Sequence, residues 1–223
     1  MKRFIGMGLL LIGLLGFGMA EPAGAAETGS IQDLQSPEEI VKFREAYIRD
    51  FKRIGLNTTP GDAMMLRILV QAARCRRGIE VGTATGYGAI VMGVAFERTG
   101  GELTTIDIDP RMVKIAQEHI QNMGLEKTVK VVEGDALKVL PELEGEYDFL
   151  FIDARKQDYL KYFKAVEAKL KTGAVIVADN VIQSKNAMQD FLDYFKDNPD
   201  YDALTVICSD EKGDGMMVIY KVK

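Results

Sequence analysis

The architecture of this chain is organised around residues 77–90, which read Arg77-Gly78-Ile79-Glu80-Val81-Gly82-Thr83-Ala84-Thr85-Gly86-Tyr87-Gly88-Ala89-Ile90. Ile79 and Val81 predict a short buried strand, and the glycines after them allow the backbone to pass close to a ligand before a helix begins. Residues 103–107 then place Asp107 at the end of a second predicted strand. Dinucleotide-binding folds use this pairing to hold a nucleoside, with glycines under one end and a carboxylate on the ribose hydroxyls.

Outward from this stretch, short apolar strands alternate with amphipathic helices. The predicted strands cover residues 78–81, 102–107, 128–132, 147–152, 174–178, 203–208 and 216–222, and the predicted helices cover residues 36–53, 62–74, 87–98, 109–124, 136–140, 157–170 and 184–195. Ser36 and Ser184 are expected to cap the first and last helices, and Pro141 is expected to end the helix before it.

Alternating strands and helices predict a parallel, doubly wound sheet. The link between the last two strands, residues 209–215, is too short for a parallel crossover, so this pair is expected to be antiparallel. We therefore expect a single α/β domain over residues 36–223, built on a Rossmann-like, seven-stranded, mostly parallel sheet with an antiparallel last strand.

Composition excludes some classes of protein. Apolar residues make up 47% of the 223 residues and charged residues 27%, as in an ordinary globular protein. The net charge is −5, so the chain lacks the basic surface that nucleic acid requires, and no nucleic-acid partner is expected.

The N-terminus has the pattern of a secretory signal. Lys2-Arg3 precedes an apolar run from Phe4 to Met19, and small residues follow up to Ala26. As a helix, this run would be ~24 Å long, short of the ~30 Å hydrocarbon core of a bilayer. We expect residues 1–26 to be a signal peptide, with an N-terminal membrane anchor as the alternative. The protein would then be exported (periplasmic or secreted) or membrane-anchored, and cytoplasmic if the leader is not used.

The spacing of the glycines indicates which nucleoside is bound. Gly82, Gly86 and Gly88 give G-x-x-x-G-x-G, whereas a nicotinamide site needs a glycine where this chain has Ala84. Glu80, in the strand just before the loop, would meet a phosphate poorly but suits a cationic ligand. S-adenosyl-L-methionine carries a sulfonium, an ammonium and a ribose but no phosphate, so the loop favours it.

Four segments together resemble the cation-dependent O-methyltransferase family, which includes catechol and caffeoyl-CoA O-methyltransferases. The segments are residues 80–87, 105–110, 151–156 and 177–180, and the similarity runs from about residue 36 to the end. The family has the class I methyltransferase fold with a final antiparallel strand pair, and its Gly-Asp-Gly motif appears here as Gly213-Asp214-Gly215. The resemblance also implies a homodimer.

The resemblance implies a site for S-adenosylmethionine, with Asp107 on the ribose hydroxyls, Asp135 near the adenine, and Glu80 and Gly82 lining the pocket. The full expected cofactor set is Glu80, Gly82, Thr83, Gly86, Tyr87, Gly88, Asp107, Asp135, Ala136 and Asp153. The family usually has a serine at the position of Gly88, so a hydroxyl that could contact the methionine end is missing.

Two predicted strand ends carry candidate metal ligands. Asp153 follows one strand, and Asp179 and Asn180 follow the next, at the edge where open α/β sheets bind ligands. Both carboxylates reach one ion only if the chain turns at Asp179, because successive strand residues face opposite ways. Two carboxylates and an amide carbonyl suit a hard divalent ion, so Mg²⁺ is expected, with Ca²⁺ or Mn²⁺ as alternatives.

These residues predict methyl transfer to a small catechol-like substrate, with Lys156 and Asp153 as catalytic residues. A divalent ion lowers the pKa of a bound hydroxyl, and Lys156 would take the proton or stabilise the phenolate. In the simplest alternative Asp153, Asp179 and Asn180 are solvated loop residues or helix caps, and Lys156 is a surface lysine. Two other functions stay open: methylation of a different small hydroxylated metabolite, and non-catalytic binding of an adenosyl ligand, since exported proteins meet little S-adenosylmethionine.

Overall fold

The computed structural model describes residues 31–209 and 211–223, so the expected signal peptide lies outside the described residues. The described chain forms one seven-stranded sheet in the order β3-β2-β1-β4-β5-β7-β6. The strands are β1 (Arg77–Val81), β2 (Glu102–Asp107), β3 (Val129–Glu133), β4 (Tyr147–Ile152), β5 (Leu170–Ala178), β6 (Tyr201–Val206) and β7 (Met216–Lys221). Strands β1 to β5 pair in parallel, and β7 is antiparallel to both β5 and β6. The predicted fold class is confirmed, including the antiparallel last pair.

Helices connect the strands. They are α1 (Pro37–Asp50), α2 (Pro60–Ala72), α3 (Tyr87–Thr99), α4 (Pro110–Asn122), α5 (Ala136–Glu142), α6 (Tyr159–Val166) and α7 (Gln189–Phe195), with short 3₁₀ turns at Ile31–Asp33, Lys156–Asp158, Glu167–Lys169 and Lys185–Ala187. Ser36 caps α1 as predicted, since its hydroxyl accepts from the Glu39 N–H and the Glu39 carboxylate accepts from the Ser36 N–H.

Most helix boundaries lie within a few residues of the predictions, and three of the differences have an identifiable physical cause. Helix α1 ends at Asp50 instead of residue 53, because the backbone extends at Phe51, whose ring packs against Tyr87 and His119. Helix α5 continues through Pro141, since a proline this close to a helix end removes only one hydrogen bond.

The third difference concerns Ser184, which makes no capping bond, and α7 begins five residues later, at Gln189. The physical reason lies in the segment before Ser184. The N–H groups of Ile182 and Gln183 both donate to the Asp214 carboxylate, which holds this segment as a turn instead of a helix.

The sheet is buried on both faces. Along β4, Phe149 and Phe151 pack toward α2 and α3, whereas Leu150 and Ile152 pack toward α5, α6 and α7. This alternation explains why β4 reads as one continuous apolar run. Because helices cover both faces of the sheet, a ligand has access to it at the ends of the strands. The cavity described below lies at the carboxyl ends of the parallel strands. In the part of the chain that the structure describes, no helix has the length and apolarity needed to cross a bilayer.

Candidate active site

A cavity of about 700 Å³ lies at the carboxyl ends of β1, β2, β4 and β5. The predicted site residues that line it are Gly82, Asp107, Asp135, Ala136, Asp153, Lys156, Asp179 and Asn180. The structure therefore brings the expected ribose-binding acid and the expected metal ligands to the same cavity. This is the geometry that open parallel sheets offer to ligands.

The other predicted residues form the layer beneath the cavity wall. Glu80 and Thr83 are buried, and Gly86, Tyr87 and Gly88 form the N-cap and first turn of α3. Gly86 adopts φ +90°, where a side chain would also meet Ala116 of α4 at 3.1 Å. These residues shape the loop from below and do not line the cavity.

Gly82 fixes the loop against β4. Its φ is +102°, and a Cβ there would lie 2.0 Å from the backbone oxygen of Asp153. The Gly82 N–H donates to the Ile106 carbonyl at 2.9 Å, and the Asp153 N–H donates to the Val81 carbonyl at 2.8 Å. Only glycine allows this approach, because it has no Cβ and tolerates positive φ.

The carboxylate of Asp107 is oriented by backbone donors. Oδ2 accepts from the Ala84 N–H at 2.8 Å, and Oδ1 accepts from the Asp109 N–H at 2.9 Å. Each carboxylate oxygen can accept more than one hydrogen bond, so both oxygens keep capacity for a pair of hydroxyl donors. The arrangement can therefore bind a vicinal diol such as a ribose.

Glu80 is fully buried in a network of hydroxyl groups. Its Oε2 accepts from Thr105 Oγ1 at 2.6 Å, and Thr105 Oγ1 lies 2.5 Å from Thr83 Oγ1. Burial raises the pKa of the Glu80 carboxyl to about 8, the Thr105 hydrogen bond opposes this rise, and the charges of Asp153 and Asp107 add to it. An unliganded Glu80 is thus largely protonated near neutral pH, and a nearby positive ligand would favour its ionised form.

Gly88 is next to this carboxyl. A Cβ at residue 88 would lie 2.7 Å from Glu80 Oε1, closer than side chains approach without a shift. The glycine at this position gives the Glu80 carboxyl its room beneath the first turn of α3. The departure from the family's usual serine therefore has a structural counterpart in the placement of Glu80.

The chain turns directly after β5, which brings Asp179 and Asn180 to the cavity. Asn180 adopts φ +62°, and its N–H donates to Asp179 Oδ1 at 2.7 Å. The Asn180 side-chain amide donates to Asp214 Oδ2 at 3.1 Å, so its carbonyl oxygen is the atom available to a ligand. Asp214 is in turn held by backbone N–H groups, including that of Gly215 at 2.8 Å. The Gly-Asp-Gly motif thus orients Asn180.

Lys156 contacts Asp153 and is largely covered. Its ammonium donates to Asp153 Oδ1 at 2.8 Å and to the Tyr159 hydroxyl at 2.7 Å. The Tyr159 hydroxyl donates to the Asp179 carbonyl at 3.2 Å. The Lys156 side chain is 21% exposed. This chain of bonds holds one ammonium group against the cavity between β4 and β5.

A second lysine reaches the site from the loop between β6 and β7, and the sequence analysis missed it. The Lys212 ammonium donates to Asp179 Oδ2 and lies 3.6 Å from Asp62 Oδ2. Burial and the charge of Asp153 raise the pKa of Asp179 to about 6, although the hydrogen bond from Lys212 acts to lower it. The only signal in the sequence is that Lys212 directly precedes the Gly-Asp-Gly motif, and spacing alone does not show that it reaches β5.

Metal binding at this edge would depend on the asparagine. Across residues 31–209 and 211–223, no group of three or more His, Cys, Asp or Glu side chains is placed to hold a metal ion. The expected donor set has two carboxylates, Asp153 and Asp179, and would need the carbonyl oxygen of Asn180 as its third oxygen.

Comparison with known proteins places the chain among methyltransferases. A family model described as O-methyltransferase matches residues 32–196, more than half of the chain. A similar curated protein is the catechol O-methyltransferase of Niastella koreensis, 33% identical over 139 residues, which are 60% of this chain and 62% of that protein. The chain thus spans less than two thirds of this relative's length.

Two solved structures agree over most of their length. The O-methyltransferase TomG from Streptomyces achromogenes, involved in tomaymycin synthesis and in complex with SAM, has a TM-score of 0.72 and 25% identity, covering 85% of this chain and 92% of its own. The O-methyltransferase from Bacillus cereus in complex with SAH has a TM-score of 0.70 and 25% identity. The match covers 86% of this chain and 94% of the Bacillus cereus protein.

Proposed function

The chain belongs to the O-methyltransferase family, and from this premise we propose that it transfers the methyl group of S-adenosylmethionine to a hydroxyl of a small molecule. One observation carries the proposal: a single cavity holds both a carboxylate oriented for a ribose, Asp107, and a cluster of charged groups, Asp153, Lys156 and Asp179. A methyl donor and an acceptor hydroxyl bound there would be neighbours. Holding two reactants in such a geometry supplies a large part of the rate.

The cofactor would lie along the glycine loop. Asp107 would accept bonds from both ribose hydroxyls, and Asp135 and Ala136, which line the same cavity, would lie near the adenine. Ile108 is 70% exposed beside Asp107 and offers an apolar surface to the base. The methionine end would approach Gly82 above the buried Glu80, whose carboxylate would be stabilised by a positive ligand.

The donors at the end of β5 fit a hard divalent ion. Asp153, Asp179 and Asn180 offer oxygen atoms alone, and the bond from the Asn180 amide to Asp214 keeps its carbonyl oxygen for a ligand. When bound, Mg²⁺ would lower the pKa of a substrate hydroxyl, with Ca²⁺ or Mn²⁺ as alternatives. Few protein ligands leave positions for two oxygens of the substrate, which favours a catechol-like diol over a single hydroxyl.

The residues of the chain would handle the proton and the charge. Lys156 Nζ, held by Asp153 and Tyr159, would stabilise the phenolate oxygen as an ammonium, or would receive the proton of the substrate hydroxyl if it enters the reaction as the neutral amine. Bound cofactor and substrate would displace water from the cavity, which would strengthen each of these interactions. The phenolate would then attack the methyl carbon in line, and the C–S bond would break as the O–C bond forms.

The experiment uses the full chain, S-adenosylmethionine and catechol, with methylated product measured by mass spectrometry. Product that disappears on chelation with EDTA and returns with Mg²⁺ supports the metal-assisted reaction. Product that is insensitive to EDTA contradicts the metal role alone. Binding of the cofactor without transfer to catechol or to other small hydroxylated compounds would contradict catalysis.

The compartment and assembly are also proposals. The composition of residues 1–26 supports export or membrane anchoring, and the family resemblance supports a homodimer. Mass measurement of the mature N-terminus in the producing cell tests the first, and light scattering of the purified protein tests the second. A mature chain that begins at Met1 would contradict cleavage, and a monomer would contradict the dimer.

A further inference from the structure

Lys212 is a cation at the candidate site that the proposed reaction does not use. Its side chain is 22% exposed, and its ammonium bonds to Asp179, whose side chain is 1% exposed. Lys212 lines the same cavity as Asp153, Lys156 and Asn180. A lysine therefore already neutralises one of the two carboxylates expected to hold a divalent ion.

The position of Lys212 is set by backbone packing. A Cβ on Gly61 would lie 2.2 Å from the backbone oxygen of Cys208, so the start of α2 rests directly on the chain that leads from β6 to Lys212. An ion pair of 3.3 Å joins Arg53, in the loop between α1 and α2, to Glu211, which directly precedes Lys212. The fold therefore holds the loop that carries Lys212 close to α2, and the Lys212 side chain reaches both Asp62 and Asp179 from there.

Asp62 gives the ammonium a second anionic neighbour. Its side chain is 3% exposed, and its Oδ2 lies 3.6 Å from Lys212 Nζ. Lys212 therefore lies between two nearly buried carboxylates, one expected to bind metal and one outside the expected metal set. A small movement toward Asp62 would release Asp179 without leaving the ammonium unpaired in a buried place, which would be costly.

A divalent ion and an ammonium compete for one carboxylate. Like charges within a few ångströms repel strongly in a partly buried site. We propose that Lys212 acts as a tethered cation that holds Asp179 in the metal-free protein, withdraws toward Asp62 when a divalent ion binds, and so weakens metal binding. This rests on the proposed function in its metal-assisted form. Lys212 is in this sense a positioning residue that sets the affinity of the site for metal.

Metal titration without substrate or cofactor tests this directly. Free Mn²⁺ is followed by electron paramagnetic resonance as it is added to the full chain, to three lysine variants, and to Asp179→Asn in the wild-type and Lys212→Met backgrounds. Lys212→Met is expected to bind Mn²⁺ about tenfold more tightly or better, a coupling of ordinary size between two charges. Lys212→Arg retains the charge and is expected to bind no more tightly than the wild type. Lys185→Met removes an exposed lysine five residues after Asn180 and is expected to stay within about twofold, because exposed charges are screened.

The outcomes separate this inference from the proposed function. Suppose that Lys212→Met binds Mn²⁺ no more tightly than the wild type, while Asp179→Asn weakens Mn²⁺ binding in both of these backgrounds. The metal site then stands, and the proposed role of Lys212 is wrong. If neither the wild type nor Lys212→Met binds Mn²⁺, the inference and the metal site both fail, and methyl transfer is still judged by its own product assay. Circular dichroism of each variant checks that it folds like the wild type. Lys212→Arg is the conservative change in this comparison.

Discussion

A Cβ on Gly82 would lie 2.0 Å from the backbone carbonyl oxygen of Asp153. The glycine loop expected to bind the methyl donor and the strand end expected to bind the metal are therefore in direct backbone contact. Neither can move far without the other. This contact sets the distance between the two halves of the candidate active site.

Gly82→Ala is expected to damage both halves together. The new methyl group has no room, and φ +102° strains any residue other than glycine, so we expect a loss of about 2 kcal/mol or more in the free energy of unfolding, with weaker cofactor binding. Urea unfolding and calorimetry measure the two effects. The matched control for stability is Gly55→Ala, where a Cβ meets nothing within 4 Å. A Gly82→Ala protein with wild-type stability and affinity would show that the contact is not restrictive.

Glu80→Gln is expected to flatten the dependence of stability on pH. The pKa of Glu80 is about 8 in the folded protein, above its ordinary value of 4.5, so the folded state binds more protons than the unfolded state between these values. Stability contributed by Glu80 is complete below about pH 4.5 and falls as the pH rises to about 8, by up to about 1.4 kcal/mol per pH unit.

The measurement is urea unfolding of the wild type and Glu80→Gln from pH 5 to pH 8. Glutamine retains an oxygen for Thr105 but cannot ionise, so the difference between the two proteins isolates Glu80. Parallel stability curves for the two proteins would mean that Glu80 does not change protonation in this range.

Asp107→Asn is expected to weaken S-adenosylmethionine binding by about ten- to a hundredfold. The amide cannot accept from Ala84, Asp109 and two hydroxyls as the carboxylate can, and hydrogen bonds to charged groups contribute about 1.5–3 kcal/mol. Isothermal calorimetry measures the change. Glu133→Gln is the control, since Glu133 is an exposed acid paired with Asp107 in register at the end of β3. Equal losses in both variants would point to overall charge and not to ribose binding.

Lys156→Met is expected to slow methyl transfer by about 10²–10⁴ in kcat, the usual contribution of a positioned acid or base, and to leave cofactor binding unchanged. Lys161→Met is the control, because Lys161 is 63% exposed and bonds to Asp158 outside the metal set. Single-turnover rates and cofactor calorimetry separate the two effects. Full activity in Lys156→Met would remove Lys156 from the mechanism.

Arg44→Met is expected to lower the free energy of unfolding by about 2–3 kcal/mol, since it leaves buried acceptors without a donor. The Arg44 guanidinium donates to the Met123 carbonyl at 2.9 Å, to the Gly124 carbonyl at 3.2 Å and to the Glu97 carboxylate. Arg49→Met removes an exposed pair with Asp50 and is expected to change stability by less than about 0.5 kcal/mol. A similar small change in both variants would show that Arg44 does not anchor α1.

Much of the fold could be predicted because local signals agree with tertiary packing. Strands β2 and β4 begin and end at the predicted residues, and Asp109, where the fourth helix was predicted to begin, is the N-cap of α4. Two of the predictions that were wrong, at Pro141 and Ser184, rested on one residue each. At Pro141 the proline lies close enough to the helix end to be tolerated, and at Ser184 the distant Asp214 carboxylate overrode the local preference.

By itself the sequence determined the order of the strands along the chain and the placement of Asp107, Asp153 and Asp179 at their carboxyl ends. These follow from the two-residue period of strands and from turn residues, which act over short distances. Only the tertiary structure decided that Lys212 reaches Asp179, 33 residues away, and that Glu80 is sealed beneath Gly88. Charge pairing and burial depend on which segments pack together, and no local pattern records them.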